Sequence, residues 1–171
     1  MMKTGKIVFV LMLMLTLQGC IKVKYSFSGA NISPEMQTFS VDHFQNRSLL
    51  IVPSLSSEFT EALRTYINDR TRLREVTDGM GDAKFEGEIV SFTQKPINIT
   101  SQEIATSNRL TIDIKCRYTD AFNEKNNFES NFSHYADYSV DADYTSIEAG
   151  LIKEITTKII EDIFNKAFVN W

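Results

Sequence analysis

The chain predicts an α+β fold, in which two amphipathic helices pack on one face of a mixed or antiparallel sheet of about four strands to make a two-layer sandwich. Three observations carry this reading. Between Asn108 and Thr119, Leu110, Ile112, Ile114, Cys116 and Tyr118 alternate with Thr111, Asp113, Lys115 and Arg117. Such alternation describes a strand with one core face and one wet face. The stretch Ile152 to Trp171 repeats apolar residues at helical spacing, and a shorter stretch from Phe59 to Ile67 does the same.

Taken in order, the first element is a secretory signal. Met1 to Lys6 carries Lys3 and Lys6, Ile7 to Leu17 is apolar apart from Thr16, and Leu17-Gln18-Gly19-Cys20 follows. The apolar run falls well short of the roughly 20 residues that a membrane span needs. A cysteine placed after Leu-x-Gly makes this a lipoprotein signal. Residues 1–19 are then removed and Cys20 carries the acyl chains, each buried methylene contributing about 0.8 kcal/mol to anchoring. Residues 20–24 form the lipidated tether and 25–171 a single periplasmic α+β domain. The residues after Cys20 are Ile21-Lys22-Val23-Lys24, with no acidic sorting signal. This places the chain at the outer membrane, lipid-anchored, on the periplasmic side.

Within the domain, Met36 to Phe44 and Leu49 to Val52 read as strands, the second ended by Pro53. Ser56-Ser57-Glu58 opens the first helix, and Phe59, Ala62, Leu63, Tyr66 and Ile67 form its apolar face. Leu73 to Thr77 is a short strand candidate before the turn Gly79-Met80-Gly81-Asp82. Three long strand segments follow, Ala83 to Gln94, Asn108 to Thr119 and Asn127 to Val140, the last two joined by a hairpin connection over 120–126. Thr145-Ser146-Ile147-Glu148 reads as a capping box. Beyond it Ile152, Ile155, Ile159, Ile160, Ile163, Phe164, Ala167, Phe168 and Trp171 make a wide stripe, with Glu154–Lys158 and Asp162–Lys166 as i,i+4 pairs.

Composition narrows the function classes. The net charge is -4, and removing Lys3 and Lys6 makes the mature chain more acidic still. That balance argues against nucleic acid as a partner. With Cys20 acylated, Cys116 has no disulfide partner and reads as a small buried hydrophobe. The two histidines, His43 and His134, belong to no hydrolase, zinc or phosphate-binding motif. Ser133, His134 and Asp137 do not make a triad, because neighbouring strand residues point to opposite faces. No catalytic residue, metal site or cofactor is read, and the chain is not expected to be an enzyme.

One cluster stands out in an acidic protein. Arg64, Arg70, Arg72 and Arg74 gather at the end of the first helix and just beyond it. Guanidinium groups grip phosphates or carboxylates bidentately, so Arg70, Arg72 and Arg74 are candidates for contact with an anionic ligand or partner wall. In an extended segment all three would project to one side. The alternative is a solvated face that complements the negative end of a helix.

Several stretches together resemble the LptE family of lipopolysaccharide-assembly lipoproteins, in its Bacteroidetes form. They are Tyr25 to Ala30, Phe59 to Leu63 with Thr71-Arg72-Leu73, and Gly81-Asp82 with Phe85-Glu86-Gly87. Pro96, Asn108 to Thr111, Phe132-Ser133, Ile163 to Asn165 and Asn170-Trp171 continue the series. The resemblance implies two helices on a four-stranded sheet. It also implies an LptD-type outer-membrane β-barrel as partner, which the protein plugs and helps to assemble, and contact with lipopolysaccharide. The lipidated cysteine carries over to Cys20, and a basic ligand surface carries over loosely to Arg70, Arg72 and Arg74. A different class of reading is a lipoprotein cofactor of another envelope machine, such as a cell-wall synthase activator. Such activators need a long linker, and the tether read here reaches less than roughly 20 Å.

Overall fold

A computed structural model describes residues 32–50, 52–97 and 107–169. The signal, Cys20, the tether and Trp171 lie outside the described residues. The elements are β1 (Thr38–Val41), β2 (Gln45–Asn46), α1 (Leu55–Arg70), β3 (Arg74–Glu75), β4 (Ala83–Ile97), β5 (Ser107–Asp120), β6 (Phe128–Ser139) and α2 (Tyr144–Phe164). A 3₁₀ turn, Glu124–Asn126, lies between β5 and β6, and a π-helical turn, Asn165–Val169, follows α2.

The sheet has six strands, not about four. Its order is β3-β1-β4-β5-β6, with β2 also pairing to β4. Two of the six, β2 and β3, are only two residues long, and β3 falls within the candidate segment Leu73 to Thr77. The sheet is mixed. β1 and β2 run parallel to β4, and β3 runs parallel to β1, while β4, β5 and β6 form an antiparallel meander. Parallel pairing needs a long crossover, and α1 supplies it between β1 and β3.

Local chemistry explains the boundaries. The strand expected over Met36 to Phe44 contracts to Thr38–Val41. In the segment expected as a strand over Leu49 to Val52, Leu49, Leu50 and Val52 belong to no strand, and Leu49 and Leu50 are exposed, while Ile51 lies outside the described residues. Ser48 instead folds on itself, its hydroxyl donating to Asn46 Oδ1 and the Leu50 carbonyl. α1 begins one residue before Ser56, with Ser54 as N-cap and no side-chain cap bond. Its buried face is Leu55, Phe59, Thr60, Leu63 and Ile67, whereas Ala62 is exposed. The expected capping box is replaced by Asp143, whose carboxylate accepts from Thr145 N–H. A register shift between Ile89 and Ser91 leaves Val90 as the odd residue of a bulge. The bulge moves the core face from Ala83, Phe85 and Ile89 to Phe92.

The core lies between the helices and one face of the sheet. Ile152, Ile155, Ile159, Ile160, Ile163, Phe164, Ala167 and Phe168 are all buried. Each of these isoleucines and phenylalanines contributes about 1.5–3 kcal/mol of burial. Phe168 packs 5.9 Å from both Phe85 and Tyr118, and Tyr66 packs edge-on against Phe164 at 5.3 Å, joining the two helices. Gly87 faces this core where Phe44 and the Lys115 carbonyl oxygen come closest, leaving no room for a β-carbon. Tyr118 O–H ionisation is pushed up by burial, and the Cys116 thiol is pushed up to about 12 for the same reason.

Candidate partner surface

Two surfaces are built from charged side chains. The first is the face of the sheet away from the helices. Strand alternation sends Lys84, Glu86 and Glu88 there from β4, Arg109, Lys115 and Arg117 from β5, and Glu129 and Asp137 from β6. Register then sets the partners. Arg117 faces Glu129, and Arg109 faces Asp137. Arg117 Nε donates to Glu129 Oε2 at 2.8 Å, and Lys115 pairs with the other oxygen of the same carboxylate. Arg109 holds Asp137 with both carboxylate oxygens engaged, at 2.7 and 2.8 Å, and lies 3.6 Å from the Tyr135 ring centroid. Lys84 pairs with Glu86 at 2.8 Å, and Arg47 with Glu88 at 3.7 Å. Hydrogen bonds from Lys115 and Arg117 hold the Glu129 carboxyl below its ordinary range, and Arg109 does the same for Asp137. Pairs this exposed add little to stability, because solvent screens them. Their main effect is a polar face on which most charges are paired; Asp113 of β5, on the same face, lies opposite Ser91 and Ser133 and has no ion pair among the described residues.

The second surface holds the arginines. The helix continues through Arg70, and Thr71 is the first extended residue. Arg70 therefore stands on the last helical turn, its guanidinium 4.2 Å from the Tyr66 ring centroid. The expected row of three in one extended segment is reduced to Arg72 and Arg74, both exposed on either side of buried Leu73. Arg72 donates from Nη2 to the Ser33 carbonyl at 3.0 Å. Arg74 sits in β3 opposite Thr38. Arg64 has a different task. It donates to the Val41 carbonyl at 2.8 Å and pairs with Glu75 at 3.3 Å and Glu61 at 3.6 Å. Sequence reasoning grouped it with the cluster because nothing in the sequence shows that β1 passes alongside.

The pairs expected along α2 divide. Lys158 meets Glu154 at 2.8 Å as the spacing predicts. Lys166 instead donates to Ser130 Oγ at 2.7 Å, while Asp162 lies 2.7 Å from His134 Nε2. Both tie the end of α2 to β6. Among the described residues no group of His, Cys, Asp and Glu is placed to hold a metal ion. Among them no helix is long and apolar enough to cross a membrane.

The family model for LptE, lipopolysaccharide-assembly, matches residues 36–167. The chain belongs to the LptE family. The matched span runs from Met36, at the edge of the core, to Ala167 in the final turn, so it takes in both helices and the whole sheet. Among curated proteins, none matches the chain. Solved structures show the same fold at low identity. Lipoprotein B from Nitrosomonas europaea is 14% identical with a TM-score of 0.54, over 85% of this chain and 88% of that one. A hypothetical protein from Chlamydia trachomatis is 11% identical with a TM-score of 0.52, over 77% and 98%. A minor lipoprotein from Acinetobacter baumannii is 11% identical with a TM-score of 0.50, over 77% and 91%. In this LptE chain both charged surfaces lie within the matched span.

Proposed function

We propose that the protein is an outer-membrane lipoprotein of lipopolysaccharide assembly. It is anchored through acylated Cys20 on the periplasmic side and plugs an LptD-type β-barrel, assisting lipopolysaccharide on its way into the outer membrane. The family match over 36–167 is the observation that carries this reading. The mostly charge-paired face of the sheet supports it physically. The interior of a large outer-membrane barrel is polar, and a face whose charges are mostly paired rests against such a wall with few of them stranded. Arg70, Arg72 and Arg74 serve as the contact for anionic groups, either lipid phosphates or carboxylates of the barrel.

The test is to tag the full chain and purify it from detergent-solubilised membranes. The expected companion is one large outer-membrane barrel in near-equal amount. Recovery of a cell-wall synthase in its place would move the protein to the alternative class of envelope cofactors.

A further inference from the structure

The two edges of the sheet are treated differently. On one side β3 is two residues long, and both residues, Arg74 and Glu75, are exposed and charged. Short charged edges resist pairing with another chain. On the other side β6 is twelve residues long. It pairs with β5 without a break from Ser107↔Ser139 to Tyr118↔Phe128, so no bulge twists it away. It contains no proline, lysine or arginine. Its two carboxylates, Glu129 and Asp137, are already held by cations of β5. Its histidine, His134, lies beside Asp162 of α2. Among the described residues, the strand thus lacks the features that normally blunt an edge.

A second observation lies alongside. A cleft of about 520 Å³ opens beside the start of β6, lined by Phe128, Phe132, Asn127, Asp162, Asn165 and Lys166. Phe128 and Phe132 alternate on the helix side of the strand, and Lys166 lies 5.0 Å from the Phe128 ring centroid. An open edge offers backbone hydrogen bonds, and a pocket beside it receives alternate side chains. Together these are the two parts of strand-addition recognition.

We infer that β6 is a strand-addition site, at which an extended segment of the barrel partner pairs along the edge and seats an apolar side chain in the Phe128–Phe132 cleft. The inference rests on the barrel-partner reading above and adds the surface and the mode of contact. Charge disfavours a second copy of this chain as the occupant. Antiparallel self-pairing that keeps both helical layers on one face has two near-full registers: one sets Glu129 directly opposite Asp137 of the other copy, twice, and the other leaves the same carboxylates as diagonal neighbours. Like charges facing each other across a sheet are destabilising. The occupant therefore carries neutral or basic residues where it passes Glu129 and Asp137, and no proline between them.

Strand addition leaves a signature that ordinary surface contact does not. Photocrosslinking side chains are placed singly at Asn131, Ser133 and Tyr135 in the full-length protein in cells, all three positions being exposed. Unchanged melting of each purified variant verifies its fold. The expected crosslinks fall in one contiguous segment of the barrel, at positions two residues apart and in monotonic order. Three results overturn the inference: crosslinks scattered over separate segments, crosslinks only to a second copy, and none while the barrel still co-purifies. If no barrel co-purifies at all, the partner reading and the strand-addition site fall together.

Discussion

The Arg64 guanidinium of α1 donates to the main-chain carbonyl of Val41 in β1 at 2.8 Å. The contact spans helix and strand, and Glu75 of β3 closes it from the far side at 3.3 Å. One side chain thus ties together the three pieces of the parallel half of the sheet. Arg64→Met keeps most of the aliphatic stem but leaves the Val41 carbonyl without its donor and Glu75 without its cation. The expected cost is about 1–3 kcal/mol in urea unfolding, the scale for stranding part-buried polar groups. Arg74→Gln, on the exposed edge, should change stability by less than about 0.5 kcal/mol. Equal effects would mean that Arg64 is only surface charge.

Asp82 holds the chain where β1 begins. Its carboxylate accepts from the backbone N–H of Gln37 and of Thr38, both at 2.9 Å, and its own N–H donates to Thr38 Oγ1 at 3.0 Å. The hydrogen bond from Gln37 is the first cause that holds its pKa below the ordinary 3.8. A depressed carboxylate pKa stabilises the fold fully above the unfolded value, and that contribution fades as pH falls through the folded one. Asp82→Ala should cost about 1–2 kcal/mol at neutral pH. The gap between parent and variant should narrow as unfolding is measured below about pH 4. A gap that stays constant to low pH would deny the carboxylate its role.

Cys116 is buried, and its thiol is held near 12 by desolvation. Alkylating reagents react with the thiolate, so at pH 8 the native domain should resist labelling at this position. Labelling along a urea series should follow the unfolding transition measured by circular dichroism. Rapid labelling without denaturant would contradict the packing of β5.

Cys20→Ala should leave an unprocessed precursor of higher mass and abolish acyl labelling, read by gel mobility and metabolic incorporation of a fatty-acid analogue. A variant that is still cut and labelled would remove the anchor from the proposal.

The arginines call for a combined variant, Arg70→Gln with Arg72→Gln and Arg74→Gln, verified first for an unchanged melting curve. Lipopolysaccharide binding and barrel co-purification are expected to fall, most clearly at low salt, because exposed charges are screened over about 8 Å at physiological ionic strength. Parent-like behaviour at every salt concentration would reduce the cluster to a solvated face. Arg70 rests on Tyr66 and Arg72 reaches Ser33, so Arg74 is expected to carry a disproportionate share of any loss.

Periodicity made much of this legible in advance. The alternation from Leu110 to Tyr118 and the isoleucine stripe of α2 each appear in the structure with the face expected of them. These signals are strong because many residues repeat one pattern. The missed features have other physical sources. β2 is two residues long and exists only through its partner, so no local pattern marks it, whereas β3 falls inside the Leu73–Thr77 candidate. The bulge after Ile89 switches the core phase of β4 within a single residue. Asp143 took the cap expected of Thr145 because the chain turns into the helix two residues early. The matched charges of the open face needed the β5–β6 register, which fixes that Lys115 and Arg117 share one carboxylate.

The sheet also sets a scale. Its longest central strands have 15 and 14 residues, which at about 3.4 Å per residue run roughly 45–50 Å. Five strands side by side at about 4.8 Å spacing make a slab near 20 Å across, thickened by a helical layer about 10 Å away. An eight-stranded barrel has room only for its own side chains, so any barrel that closes around this domain needs the calibre of a porin or wider. The apolar belt of such a barrel is only about 25 Å tall. A slab seated along its length in such a bore would be about twice as long as that belt is tall, so part of the sandwich would stand beyond the apolar layer of the membrane.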